Sequence, residues 1–128
     1  MSYQDNVINS KHSRAYDIYI GRGPGGKLSD ELGSPGYWGN PIKLEKDTPL
    51  ERKRVILKYW AWLTTTDDGR ERLMHVYMLK GKKLGCWCAP DLCHGHVLSL
   101  LANDGYAATK AKIDKTREWV MDNENKEN

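Results

Sequence analysis

Apolar residues recur along this chain with two periods, and the change from one to the other divides it into elements. In Tyr16-Asp-Ile-Tyr-Ile20, the side chains of Tyr16, Ile18 and Ile20 share one face, which predicts a strand ending at Gly21. Ile56, Tyr59, Trp60 and Leu63 then recur at helical spacing. Ahead of them, Thr48-Pro-Leu-Glu51 offers an N-cap Thr, a Pro at the first helical position and a Glu at N3. A helix is expected from Pro49 to about Thr64–Thr66, with Arg52, Lys53, Arg54 and Lys58 on its outer face. Asp67-Asp68 are expected to cap a second helix that buries Leu73, Val76 and Tyr77 and stops at Gly81. Lys83-Leu-Gly-Cys-Trp-Cys88 reads as a short central strand, with Cys86 and Cys88 on one face and Trp87 on the other. A third helix opens between Asp91 and His94, buries Val97, Leu98 and Leu101, and closes at Asn103-Asp-Gly105. A weaker fourth is expected over about Ala107 to Met121.

Strand, loop, helices, strand, helix is an α/β order. The expected fold is a small, single-domain, Rossmann-like and mostly parallel sheet flanked by helices, with its site at the carboxyl ends of the strands. The domain is expected over residues 14–121, with a flexible segment at 1–13 and a disordered polar tail at 122–128, where no apolar side chain can dock.

Composition narrows the classes. At 128 residues there is room for one domain. No apolar run approaches the ~20 residues of a membrane span, and the polar start, Met1 to Lys11, lacks the core of a secretory signal. A soluble, cytoplasmic protein is expected. In that reducing setting the three cysteines read as thiols or ligands instead of a disulfide framework. The net charge of +3 permits contact with phosphates but falls short of a dedicated duplex binder.

Two segments carry the chemistry. From Gly21 to Pro41 the chain holds seven Gly and three Pro, which denies it helix and ladder and leaves a long loop. Gly21-Arg-Gly-Pro-Gly-Gly26 formally fits a dinucleotide-binding pattern. However, Leu28 stands where a P-loop has Ser or Thr, and too few residues follow for the phosphate-cradling helix. A loop that meets an anion through its N–H groups and Arg22, or a plain flexible loop, are the other readings. Trp38-Gly-Asn-Pro41 reads either as an aromatic plug over the core or as a platform for a base or sugar, with Asn40 as a directional partner.

The second segment gathers all three cysteines and two of the four histidines between Cys86 and His96. Zinc on Cys86, Cys88, Cys93 and His94 is one reading, although the C-x-C-x4-C-H spacing is not standard for it. In another, Cys93 or His94 faces a substrate at a helix N-terminus, as nucleophile or acid/base, where the dipole lowers a thiol pKa and holds an anion. In the third, Cys86 and Cys88 are buried small hydrophobes and His94 is a cap. His75 and His12 are expected to be solvated.

Four stretches carry a family resemblance: Ile18-Tyr-Ile-Gly-Arg-Gly23, Trp38-Gly-Asn-Pro-Ile42, Arg54 with Tyr59 and Trp62-Leu63, and Leu79-x-Gly-Lys-x-Leu-Gly-Cys-Trp-Cys-Ala-Pro-x-x-Cys-His-Gly95. Together they resemble the bacterial and phage family catalogued as domain of unknown function 4326, over about Tyr16 to Asn103. The resemblance implies a single-domain protein, often carried by phages, with no agreed activity. This chain departs from the pattern in about a dozen residues, Pro24–Gly36, between the Gly-Arg-Gly and Trp-Gly-Asn-Pro motifs, and in His96, where the family tends to have Asp.

The expected function is binding of a phosphorylated nucleoside-type ligand, with action on its glycosidic or phosphate bond. Gly21, Arg22, Gly23, Trp38, Gly39, Asn40, Cys88, Pro90 and His96 are the expected ligand contacts, and Cys93 and His94 the catalytic pair. The alternatives are a nucleic-acid or host-protein interaction module using Arg52, Lys53, Arg54, Arg70, Arg72, Lys80, Lys82 and Lys83, and a small zinc-stabilised domain.

Overall fold

The computed structural model describes residues 7–9, 15–86 and 93–127, except for the side chains of 125 and 127. Three short strands, β1 (Val7–Asn9), β2 (Ile18–Tyr19) and β3 (Leu84–Cys86), form a parallel sheet in the order β1-β3-β2. Four helices, α1 (Pro49–Thr65), α2 (Asp67–His75), α3 (His94–Asp104) and α4 (Tyr106–Glu127), make up most of the rest. The fold is therefore mixed α/β with a small parallel sheet. Val7–Asn9 is a strand where the sequence predicts a flexible segment, because each of its residues registers against Leu84–Cys86. Trp87 and Cys88, the expected end of the central strand, lie outside the described residues.

β3 is central and fully buried. At Gly85 a Cβ would stand 2.6 Å from the Tyr16 ring, so the missing side chain lets that ring lie against the sheet. Ile20 N–H donates to Gly85 O at 3.0 Å, carrying the β2 pairing one residue further and delivering Ile20 to the core. The Gly21 loop thus leaves from the carboxyl edge of the sheet, beside Cys86.

The start of α1 follows the sequence reading: Thr48 Oγ1 accepts from Glu51 N–H at 3.1 Å, with Pro49 at the first helical position. Replacing Thr48 by Ala should cost about 1 kcal/mol, readable as a lowered urea midpoint with an unchanged slope. Leu50, Ile56, Tyr59, Trp60 and Leu63 are the buried face of this helix.

The cap of α2 is Thr66, not the aspartates. Its hydroxyl donates to Trp62 O at 2.7 Å and accepts from Gly69 N–H at 3.0 Å, joining the end of α1 to the start of α2. Asp67 and Asp68 occupy the first turn, where the helix dipole favours negative charge. The expected stripe shifts as well. After His75 the chain tightens into a 3-10 turn, Val76–Leu79, whose period of three turns Leu79 inward and leaves Tyr77 exposed.

α3 buries Val97, Leu98 and Leu101 as expected and ends at Gly105, whose φ of 92° lets its N–H reach the carbonyls of Leu100 and Leu101. α4 runs on to Glu127 through the stretch that the sequence predicts to be a loose tail. The anchor is electrostatic: Arg54 Nε donates to Glu124 at 3.1 Å and also pairs with Glu51, while Lys53 Nζ lies 4.2 Å from the Trp119 ring centroid. Ile113 and Val120 are the buried apolar residues of the same helix. Among the described residues, no helix is long and apolar enough to cross a membrane.

Candidate functional site

A cavity of about 1050 Å³ opens at the carboxyl edge of β2 and β3. Tyr16, Tyr19, Ile42, Leu44 and Val55 give it apolar walls; Arg22, Arg52 and Asn40 bring polar groups, and Cys86, Cys93 and His94 form its inner end. Gly21, Gly23 and the Pro24–Gly26 turn lie along its rim.

The loop that frames the cavity is not slack. Gly36 has a φ of 96°, and a Cβ there would stand 2.6 Å from Lys27 O and 2.9 Å from Gly23 N, so two stretches of backbone lie directly on one another. Gly39 is equally confined, since a Cβ there would meet Leu28 Cδ2 at 2.9 Å and Arg22 Cα at 3.2 Å. The glycines of Gly-Arg-Gly and Trp-Gly-Asn are thus packing residues. Arg22 stitches the loop: its Nε donates to Asn40 O at 2.8 Å and its Nη2 to Ile42 O at 3.3 Å. Two edges of its guanidinium are therefore structural, and Nη1 remains for a ligand among the described residues. Asn40 Oδ1 accepts from Ile42 N–H at 2.9 Å, which closes the turn before Pro41-Ile42.

Trp38 does not line the cavity. It is 5% exposed and meets Tyr37 edge-on at 4.9 Å, so it takes the plug role instead of forming a platform. The aromatic walls are Tyr16 and Tyr19. Tyr19 Oη donates to Arg22 O at 3.1 Å, and burial, with lesser contributions from Cys86 and Tyr16, pushes its phenol up.

At the inner end, Cys93 is the N-cap of α3 in extended backbone and is buried. Its Sγ is 3.2 Å from Cys86 Sγ. His94 Nε2 is 2.8 Å from Ile20 O; a carbonyl only accepts, so Nε2 carries the proton and the lone pair of the neutral ring is on Nδ1. His96 does not line the cavity. It is 1% exposed at the N3 position, and its Nδ1 accepts from Cys93 N–H at 2.9 Å, the part a Glu or Gln plays in a capping box. At Gly95 a Cβ would stand 2.5 Å from Ile20 Cδ1, so α3 starts hard against β2. Cys88 and Pro90, both expected contacts, lie outside the described residues.

Beneath this end, Tyr59 is fully buried, with its ring 5.3 Å from that of His94 in edge contact. Burial pushes its phenol far up, and among the described residues its hydroxyl finds no hydrogen-bond partner. Tyr59→Phe should therefore be neutral or stabilise by up to about 1–3 kcal/mol, measured by urea titration.

The basic residues expected to form one outer face are dispersed. Arg72 is buried, Arg54 bridges α1 and α4, Arg52 pairs with Asp47 at 2.6 Å, and Lys53 covers Trp119. Arg70, Lys80, Lys82 and Lys83 stay exposed. His75, expected to be solvated, instead is half-buried, with Nδ1 3.2 Å from Tyr37 Oη and 3.0 Å from Glu71 O.

Arg72 is the residue whose place departs furthest from the local pattern. Its Nε donates to Tyr37 O at 3.0 Å, Nη2 to Ser29 O at 2.6 Å and Nη1 to Asp68 O at 3.1 Å. The guanidinium lies 4.4 Å from the Tyr37 ring and 5.5 Å from that of Trp62. It therefore ties the glycine-rich loop to α1 and α2.

Sheet, loop and cavity thus define a small α/β domain with a pocket at the strand ends. The chain belongs to the family described as domain of unknown function (DUF4326), which matches residues 6–104 and so leaves out α4. A relative from Enterobacteria phage T4, described as an uncharacterized 12.4 kDa protein in the nrdA-td intergenic region, is 27% identical over 97 residues, 76% of either chain. No solved structure matches the chain.

Proposed function

We propose that this is a Rossmann-like ligand-binding domain whose cavity takes a phosphorylated nucleoside-type molecule. The observation that carries the reading is the meeting of two arginines, apolar and tyrosine walls and the start of α3 around one cavity of about 1050 Å³ at the ends of parallel strands. That volume is at the upper end of small-molecule pockets, roughly 300–1,000 Å³, and suits a nucleotide better than a bare anion. Tyr16 and Tyr19 would face the base, Arg22 Nη1 and Arg52 the phosphate, and Asn40 would fix orientation. Parallel sheets place ligands at this edge because the helices that follow their strands present N–H groups there. A bond-breaking step on the glycosidic or phosphate linkage is the reaction such a pocket would host.

Calorimetric titration with nucleosides, nucleoside monophosphates and nucleoside diphosphates tests this. Phosphorylated members should bind and bare nucleosides should bind at least tenfold more weakly. Arg52→Ala should weaken the phosphorylated ligands by about 10–100-fold, since hydrogen bonds to charged groups are worth about 1.5–3 kcal/mol. A folded protein that binds none of these compounds would overturn the proposal.

A further inference from the structure

The geometry points to a metal site on Cys86, Cys93 and His94, suited to zinc, with its fourth coordination position facing the cavity. The three residues converge from two elements, the carboxyl end of β3 and the first residues of α3. One ligand atom from each lies within 4.8 Å of the others, and all three residues are buried. The set holds three of the four residues that spacing offered, Cys88 lying outside the described residues. Cys86 pairs across six intervening residues with Cys93, and His94 follows directly.

Several features favour an ion over a simple packing cluster. The sulfurs, 3.2 Å apart, are well beyond disulfide length, about 2.05 Å. In a tetrahedron with metal–sulfur bonds of about 2.3 Å they would stand roughly 3.8 Å apart, so the two thiols need part by only about 0.6 Å to admit an ion. Ile20 O holds the proton of His94 on Nε2 and so directs the Nδ1 lone pair to act as ligand, as carbonyl partners do for ligating histidines. Two thiolates, a neutral imidazole and a dication sum to zero charge, which removes the penalty for burying the thiolates. Soft sulfur with imidazole in a tetrahedral setting selects zinc, and two sulfurs and one nitrogen with an open position is the ligand count of catalytic sites. The same residues line the cavity, so an open fourth position would face its contents. This inference does not depend on the nucleoside reading: a metal can be present whether or not a nucleotide binds.

The full chain, purified under reducing conditions and given zinc, should show one ion per molecule by native mass spectrometry and elemental analysis. Changes around metal ligands already cost about 10–100-fold in affinity, so Cys86→Ser and Cys93→Ser should weaken zinc by more than a hundredfold in competition with a chelating dye, with helical circular dichroism as the folding control. Cobalt on the unaltered chain gives a readout that needs no variant: thiolate-to-cobalt charge-transfer and tetrahedral d–d bands are expected. Cys88→Ser should keep the ion; its loss there would overturn the open position. Absence of stoichiometric metal or of the cobalt bands, or a Cys86–Cys93 disulfide persisting under reductant, would overturn the site.

Discussion

Arg72→Met should remove about 3–5 kcal/mol of stability and loosen the mouth of the cavity at the same time. Methionine keeps much of the stem volume, so the loss isolates the guanidinium. In the native chain that group is 1% exposed and bonds the backbone carbonyls of Ser29, Tyr37 and Asp68. Its carboxylate partners, Asp30 at 3.5 Å and Glu71 at 3.3 Å, are largely solvated, so they contribute little beside the carbonyls. Removing the donor leaves those carbonyls without their partner in a dry setting, and each such loss is expensive. The variant should melt roughly 10–20 °C lower in a calorimetric scan. A fall of only one or two degrees would show that the loop does not need this anchor. Because Ser29 and Tyr37 belong to the loop that carries Gly23 and Pro35 to the cavity, amides of residues 21–40 should also exchange faster at temperatures where the helices remain protected.

Gly36→Ala should act on the same loop from the backbone side. At a φ of 96°, an L side chain is strained by about 1–2 kcal/mol. The added methyl would also meet Lys27 O and Gly23 N, backbone atoms that cannot rotate away. Overpacking of this kind adds about 1–3 kcal/mol, for a total near 3 kcal/mol in urea unfolding. Opening the contact between the Lys27 and Gly36 strands of the loop moves the cavity rim, so ligand affinity should fall in parallel. Gly33→Ala is the control: its φ is also positive, but nothing stands within 4 Å of its side-chain position, so strain alone should remain. Equal losses in the two variants would refute the close-packing account of the loop.

The helices were legible because their signals are local. Thr48-Pro49 with Glu51, the α1 stripe from Ile56 to Leu63, and Gly105 at the end of α3 each act within a turn or two of chain, and each appears in place. The parallel order of β2 and β3 followed from the helices between them. The cysteine–histidine segment was visible as a dense run of reactive side chains, and three of its members, Cys86, Cys93 and His94, do reach the cavity.

What the sequence concealed depends on partners far along the chain. Val7–Asn9 is a strand only because β3 offers it an open edge, and residues 122–127 are helical only alongside α1, where Arg54 meets Glu124. Trp38 and Arg72 exchanged roles relative to their residue types, the aromatic becoming ordinary core and the cation becoming the anchor, because burial is set by what surrounds a side chain in space. Likewise the spacing that paired Cys86 with Cys88 said nothing of Cys93 standing 3.2 Å from Cys86. By itself the sequence determined the bounds of α1 and the end of α3, the mixed α/β class and the two segments that make the site, through capping, periodicity and glycine content, which are short-range. Only the tertiary structure decided which side chains face the cavity and which hold it in shape, since those choices rest on contacts between residues tens of positions apart.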